Sequence, residues 1–407
     1  MIEFISKEPI NKGWSCDKKY CVTTADGTKY LLRITPFEKS ANRENMYHMQ
    51  KEAEKLGIPM CKSLEIGECD EGIYILQTWI DGKDANEVVP YLADSKQYAL
   101  GLDTGRILKK IHSIPAPSDQ PDWERRINDK ADLRIRKYNE CPLKYDNGQA
   151  FIDFINANRY LLKGRPQVFQ HGDYHIGNMM IENGNVVIID FDRYDFGDPW
   201  EEFKSITWCA QASPLFASGM VNGYFDNDVP MEFWKLLALY ISLGTITSLP
   251  WAIPYGEGEI KTMRNLANEV LEWYDNMRNP VPAWYIPYLE RKNLVKSYLG
   301  KTVEIKIDRP KGYIHKKQNY SLTYPINYGY IPDVIGGDGE ELDVYLIGVN
   351  EPVDEYTAKV IGIAHRHNDV EDKLIAAPQG MAFTKEEVEN QVRFQEQYYE
   401  TEIEVTK

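Results

Sequence analysis

Residues 171–178 read HGDYHIGN, and residues 186–192 read VVIIDFD. The first stretch sets Asp173 five residues before Asn178, and the second is an apolar run that ends on Asp190. Between them lies ENGN, residues 182–185. An Asn-Gly step flanked by strand-like sequence is a hairpin signal, so the two segments should fold back on each other and bring Asn178 close to Asp190. Carboxylate and amide oxygens are the hard donors that Mg²⁺ prefers. Phosphoryl transfer asks for such metal ions to bridge the phosphates and for an acceptor hydroxyl oriented in line. In that chemistry Asp173 is the base on the hydroxyl, and Asn178 and Asp190 are the metal ligands. His171 reads as an architectural residue that holds the loop by a hydrogen bond, because no soft or nitrogen ligand set lies near it. Asp192 reads equally as a further metal or loop contact and as a backbone cap. Asp198, before Pro199, reads as a helix cap.

The chain has 407 residues, which suits two or three domains better than one core. Its apolar share of 43% and aromatic share of 12% are those of a folded protein. A net charge of −15 argues against nucleic acid as a partner, since phosphate contacts need clustered Lys and Arg. The same charge is compatible with a cationic small substrate. The six cysteines fall in no CxxC pair and no zinc spacing, which reads as free thiols in a cytoplasmic protein. The start of the chain, MIEFISKEPINKG, has no basic stretch followed by an apolar block. One uncharged run, residues 236–253 (LLALYISLGTITSLPWAI), is long enough to be weighed as a membrane span. It carries a Pro, a Gly and several Ser/Thr and is bracketed by charges, so it reads as a buried helix, with no membrane partner expected.

The texture changes along the chain. KKYCVTTADGTKYLLRI alternates and turns at Asp26-Gly27, which predicts a hairpin. ANRENMYHMQKEAEKLGI carries Met46, Met49, Ala53 and Leu56 on one helical stripe. From about Tyr98 to Met277 the pattern is mainly helical. The Pro-rich stretch NPVPAWYIPYLERKNLVKSYLG reads as a linker. Beyond it, TVEIKIDRP, YPINYGYIP, LDVYLIGV and AKVIGIAHR are short β-like runs, closed by a helix near residues 384–399.

The order HGDYHIGN, then VVIIDFD, then FGDPWEEF, with LKKIHSIP and KYLLRI upstream, resembles the aminoglycoside phosphotransferase and choline kinase family over residues 1 to 290. That resemblance implies a protein-kinase-like fold and a catalytic role for Asp173. It implies a phosphate contact at Arg33, where most kinases of this fold carry Lys, and a helix glutamate paired with it, Glu44 or else Glu52. It implies a nucleotide loop over residues 11–19 with the Ser15 amide facing phosphate, and a hinge at residues 77–80 with Gln77 and Trp79 at the base. Asp195, Glu201, Glu202 and Glu257 are acids that could line a pocket for a cationic acceptor.

Residues 300 to 400 resemble the soluble inorganic pyrophosphatases, through YPINYGYIPDVIGGDGEELDVYLIG and VEDKLIAAP. The resemblance implies a five-stranded barrel. It implies metal ligation by Asp338, Glu340, Asp343 and Glu371, and pyrophosphate contacts from Lys316, Tyr328, Lys373 and Tyr398. The sequence departs from the family at Glu340, at Glu304 with Lys306, and at the pair Tyr398-Tyr399. A barrel so altered would bind metal and hydrolyse pyrophosphate weakly or not at all.

These readings give an α+β chain: a bilobal kinase-like fold followed by a small pyrophosphatase-like, OB-like β-barrel with a C-terminal helix. The expected boundaries are 1–96 for the strand-rich lobe, 97–290 for the helical lobe, 291–299 for the linker and 300–407 for the barrel. The expected activity is Mg²⁺-dependent transfer from ATP or GTP to a hydroxyl of a small molecule, an aminoglycoside-type antibiotic or a related amino alcohol or sugar. The alternatives are a nucleotide-binding pseudokinase sensor, or a phosphate-ester hydrolase regulated by the kinase fold.

Overall fold

The computed structural model describes residues 3–11, 16–287, 294–317, 320–336 and 340–406. The chain forms two compact units, Met1–Tyr91 with Asp103–Tyr285, and Leu92–Leu102 with Ile286–Lys407.

The first unit opens with an antiparallel sheet of β1 (Ser6–Pro9), β2 (Lys18–Thr23), β3 (Lys29–Thr35), β4 (Ser63–Cys69) and β5 (Gly72–Thr78), in the order β1-β2-β3-β5-β4. The predicted hairpin pairs Thr23 with Lys29, and Gly27 supplies the left-handed turn conformation at φ 84°. Alternation puts Val22, Leu32, Ile34, Tyr74 and Leu76 in one apolar cluster. Helix α1 (Arg43–Glu54) joins β3 to β4 and buries Met46, Gln50 and Ala53. Leu56, expected on the same stripe, falls past the helix end.

The rest of the unit is built on helices. Short β6 (Lys83–Asp84) and α2 (Ala85–Val88) lead to α3 (Asp94–Ile111), which belongs to this unit from Asp103 on, and then to α4 (Trp123–Glu140) and α5 (Gln149–Asn158). Then β7 (Val168–Gln170), β8 (Met179–Glu182), β9 (Asn185–Ile188) and β10 (Asp195–Gly197) carry the opening motif. Helices α6 (Ile206–Ala212), α7 (Pro214–Phe225), α8 (Met231–Ala252) and α9 (Glu257–Trp273) follow. The uncharged run lies in α8, which packs against α4, α5 and α9. It is apolar enough to cross a membrane, but 67% of its apolar window is buried inside the protein, as the core-helix reading expects. Asp198 caps the following turn by accepting from Trp200 N–H at 3.0 Å, and it also takes Arg165 and Tyr240, so it ties α8 to this turn.

In the second unit β11 (Thr302–Arg309), β14 (Asn327–Ile335), β15 (Glu341–Leu346), β17 (Lys373–Ala377) and β16 (Glu355–Arg366) are hydrogen-bonded in that order. Pairing of β11 with β16 closes them into the five-stranded barrel. The hairpin of β12 (Ile314–Lys317) and β13 (Tyr320–Thr323) stands beside it. Helix α10 (Lys385–Glu396) begins with a capping box between Thr384 and Glu387.

Two expectations need correction here. The unit does not close on its helix, because β18 (Thr401–Val405) adds to β16 as a further strand. The end of the presumed linker is part of the barrel core, since Val295 is buried in it with Tyr298 and Leu299 packed alongside. Prolines upstream disguised a segment whose apolar side chains have a core to join. All six thiols are free, as expected.

Candidate active site

The hairpin β8–β9 pairs Met179 with Ile188 and Glu182 with Asn185. Its turn residues Asn183 and Gly184 have φ of 51° and 79°, the left-handed values that an Asn-Gly turn supplies. Ile189 N–H donates to the Asn178 carbonyl at 3.1 Å, so Asn178 and Asp190 leave the hairpin on neighbouring chains. Asn178 Nδ2 donates to the Asp173 carbonyl at 2.9 Å, which turns the amide oxygen the other way. Asp190 adopts φ 66°, a left-handed conformation that Asp tolerates better than most residues. An amide oxygen and a carboxylate placed side by side fit Mg²⁺, which takes few protein oxygens and completes its shell with phosphate and water. Among the described residues no three His, Cys, Asp or Glu side chains form a metal cluster.

The loop is rigidly supported. His171 is fully buried and its Nε2 donates to the Ile189 carbonyl at 2.9 Å, while its Nδ1 accepts from Asp173 N–H at 3.3 Å. The ring lies 4.4 Å from that of Phe191. Gly172 has φ 88°, and a Cβ there would stand 1.8 Å from the Arg193 carbonyl oxygen, so only glycine fits. Its N–H donates to the buried Glu202 carboxylate at 3.0 Å. Beneath the loop, Cys209 Sγ accepts from Ile176 N–H at 3.3 Å. The Asp173 carboxylate faces His175 Nε2 at 3.5 Å and Arg193 Nη1 at 3.6 Å. Burial pushes Asp173 up, but the hydrogen bond and charge of His175 and the charge of Arg193 outweigh it and hold the acid at about 2. It is therefore ionised at neutral pH and able to accept a proton.

Arg33, on β3, binds three carboxylates. Its Nε and Nη2 donate to Asp17 at 3.2 and 2.9 Å, its Nη1 to Asp190 at 3.2 Å, and its Nη2 also to Asp192. Arg43 joins the same group through Asp17 at 2.7 Å and Asp192 at 3.2 Å. Burial pushes both Asp190 and Asp192 up. The Arg33 charge brings Asp190 below its ordinary value, whereas repulsion from Asp190 and Asp17 helps to leave Asp192 above its own.

In the barrel, Lys373 Nζ lies between Asp343 and Glu371, 2.6 Å from the latter. Tyr328 OH donates to Asp343, and Asp343 N–H donates to Glu371 at 3.2 Å. Next to this group Arg366, almost fully buried, donates to Glu396 at 2.6 Å and Asp369 at 2.8 Å and stacks on the Tyr399 ring at 3.7 Å. His365 bridges Asp372 and Glu404 at 3.0 and 2.9 Å.

The family model described as Phosphotransferase enzyme family matches residues 7–234. The chain belongs to that family. A second model, Inorganic pyrophosphatase, matches residues 297–404 of the chain. The structure resembles a thermostable mutant of an aminoglycoside phosphotransferase in its apo form, with TM-score 0.51 and 15% identity over 66% of this chain and 94% of that one. It also resembles amicoumacin kinase in complex with AMP-PNP, Ca²⁺ and Ami, with TM-score 0.50 and 13% identity over 69% of this chain and 92% of that one. Both likenesses are to the fold. The inorganic pyrophosphatase of Rickettsia prowazekii (strain Madrid E) is 26% identical over 82 residues, 19% of this chain and 48% of its own. The chain thus spans about half the length of the curated relatives it matches.

Of the expected site residues, Arg33 meets Asp190 at 3.2 Å, and Asn178 bonds to the Asp173 carbonyl on the loop that leads into the same hairpin. Glu44 does not join them: it is exposed on α1, and Glu52, also exposed, pairs with Lys55. The carboxylates that hold Arg33 come from the entry to β2 and from the segment after β9 instead. Gln77 is buried; its Nε2 donates to Gln50 at 3.1 Å and Ser63 at 3.3 Å, while its Oε1 meets no hydrogen-bond donor among the described residues. Trp79 lies half-buried just past β5. Ser15 and Asp338 lie outside the described residues.

The four acids expected around a cationic pocket serve other purposes. Asp195 pairs with Arg126, Glu201 with Lys204, and Glu202 anchors Gly172, while Glu257 is exposed in the first turn of α9. In the barrel Asp343, Glu371, Tyr328 and Lys373 converge. Glu340 and Lys316 are exposed, and Tyr398 is 59% exposed while its neighbour Tyr399 turns onto Arg366. Lys373 lies between Asp343 and Glu371, two of the expected metal ligands, and its charge relieves the repulsion between them. Sequence reading missed Asp17, Arg43, Arg193, Cys209 and Arg366. Only Asp17 carried a signal, through its place in the loop at 11–19.

Proposed function

We propose that this protein transfers the terminal phosphate of ATP or GTP to a hydroxyl of a small molecule. The observation that carries the reading is the hairpin that sets Asn178 and Asp190 side by side, with the ionised Asp173 on the adjoining loop. Asn178 and Asp190 would hold Mg²⁺, which would neutralise charge on the phosphates. Asp173 takes the proton of the acceptor hydroxyl as its oxygen bonds to phosphorus, and the bond to the nucleoside diphosphate oxygen breaks. Arg33 offers its guanidinium to the phosphate oxygens, with a fork in place of the point charge of a lysine.

The acceptor would enter a groove of about 400 Å³ beside the loop, lined in part by Asn86, His175, Trp208 and Gln211. These side chains suit a hydroxylated ring that stacks on Trp208 and hydrogen-bonds to amides. Aminoglycoside-type antibiotics, amino alcohols and sugars all stay within the reading. The barrel would contribute little pyrophosphate hydrolysis, because its carboxylates are held by Lys373 and Arg366.

The test is phosphate transfer by the purified chain with Mg²⁺ and ATP or GTP over a panel of aminoglycosides, macrolides and amino alcohols. Transfer to at least one acceptor is expected, and nucleotide binding with no acceptor phosphorylated would favour a pseudokinase sensor. A second expectation concerns the metal. Asp190→Asn should weaken binding of the Mg²⁺-nucleotide complex more than binding of the metal-free nucleotide, because the lost charge faces the ion. Calorimetry with and without Mg²⁺ reads this, and equal weakening would take Asp190 out of the metal site.

A further inference from the structure

We propose that Asp17 is the positioning residue of the nucleotide-phosphate site and that it holds two guanidiniums there, Arg33 and Arg43. The proposal rests on the phosphotransferase reading above. The side chain of Asp17 has no exposed surface, and it accepts from both arginines and from Thr35 Oγ1 at 2.8 Å. Arg33 and Arg43 share a second carboxylate, Asp192. Two cations are thus held within one carboxylate's width of each other, a placement that repels unless anions flank it.

The arrangement reverses what the sequence led one to expect of α1. That helix supplies a cation, Arg43 at its first residue, and the anion comes from the entry to β2. A buried network of ion pairs contributes little net stability compared with apolar packing. Its position accounts for it better: Asp190 and Asp192, with 30% and 18% of their side chains exposed against 6% for Arg33 and 12% for Arg43, form its open side. Asp190, the carboxylate assigned to Mg²⁺, pairs with Arg33, and Asp192 pairs with both guanidiniums, so a phosphate near Asp190 would approach the arginine pair. Arg43 then contributes a charge-assisted hydrogen bond to the nucleotide, and Asp17 sets the angle of both forks.

The test uses the full chain with Arg43→Gln, Arg43→Lys and Asp17→Asn. It reads the affinity for a non-hydrolysable ATP analogue with Mg²⁺ by calorimetry, the KM of nucleotide and of acceptor, and the melting temperature. Arg43→Gln is expected to weaken nucleotide binding about tenfold or more, the scale of a hydrogen bond to a charged group, with the acceptor KM unchanged. Arg43→Lys should recover part of that loss, because the charge returns without the fork. Asp17→Asn should show the same nucleotide-selective loss. Since Asp17 is buried and its variant could melt early, the Arg43 pair carries the decision. Wild-type nucleotide affinity in Arg43→Gln overturns the proposal. So does an equal rise in both KM values with no recovery in Arg43→Lys, which would mark a scaffold role. A wild-type protein that binds no nucleotide overturns the phosphotransferase reading itself, an outcome visible before any variant is made.

Discussion

Asp173→Ala is expected to lower turnover by about a hundredfold or more, the scale on which a positioned general base acts, while nucleotide affinity stays near that of the wild type. The two readouts separate because the Asp173 carboxylate faces His175 and Arg193, whereas the phosphate contact and the metal ligand assigned above are Arg33 and Asp190. Near-normal turnover in the variant would remove Asp173 from the mechanism. The pH profile gives a second check. A carboxyl held at about 2 is ionised above that value and loses its charge only below it, so Asp173 should contribute no acid limb in the usual assay range. His175 supplies the largest of the contributions that oppose burial. His175→Ala should therefore raise the Asp173 pKa and bring an acid limb up into the measured range. An unchanged profile would mean that His175 does not set that ionisation.

Lys373→Met should destabilise the barrel by about 3–5 kcal/mol, the cost of leaving a buried ion pair without one partner. Lys373 is 3% exposed and lies between Asp343 and Glu371, so its loss strands two carboxylates. Burial pushes Lys373 down, but the charges of Glu371 and Asp343 outweigh it and raise the ammonium well above its ordinary value. That contribution is fully present at and below neutral pH. Burial pushes Asp343 up, yet the Lys373 charge and the hydrogen bonds from Lys373 and Tyr328 bring it below its ordinary value. Its share of stability is present above about pH 4 and is lost as pH falls from there. Chemical denaturation of the full chain, followed by a probe in the barrel, reads the loss. The variant also bears on metal. With the internal cation gone, millimolar Mg²⁺ should restore part of the stability, while it should leave the wild-type barrel unmoved. A wild-type barrel strongly stabilised by Mg²⁺ would show that Lys373 does not stand in for the ion.

Much of this protein was legible in the chain itself. The hairpin β8–β9 follows from Asn183-Gly184 between two apolar runs, because a local turn preference and a period of two act over a few residues. The same local logic made the Asp26-Gly27 hairpin, the capped helix α10 and the strands of the barrel readable. Asp173, Asn178 and Asp190 were legible for the same reason: one loop and one short hairpin bring them together, with no help from distant segments. The core helix α8 was readable from its lack of charge combined with the residues that bracket it.

What only the tertiary structure decided was which charges meet. Arg33 and Asp190 are 157 residues apart, and Arg33 and Asp192 are 159 apart. Nothing in the spacing said that Asp17 rather than Glu44 would face Arg33. Both lie near it in sequence, and the choice depends on which face α1 turns toward β3. Glu201 and Glu202 read as acids that could line a cationic pocket, yet folding buries them against Lys204 and Gly172. In the barrel, the acids that suggested a metal were legible one by one. That Lys373 would sit between two of them was not, because the parallel pairing of β15 with β17 joins Val344 to Leu374, thirty positions further along the chain. Local sequence determines turns, periods and caps, since their energies are set by near neighbours. The partner of a buried charge is settled by desolvation, which exists only once the whole fold has excluded water from it.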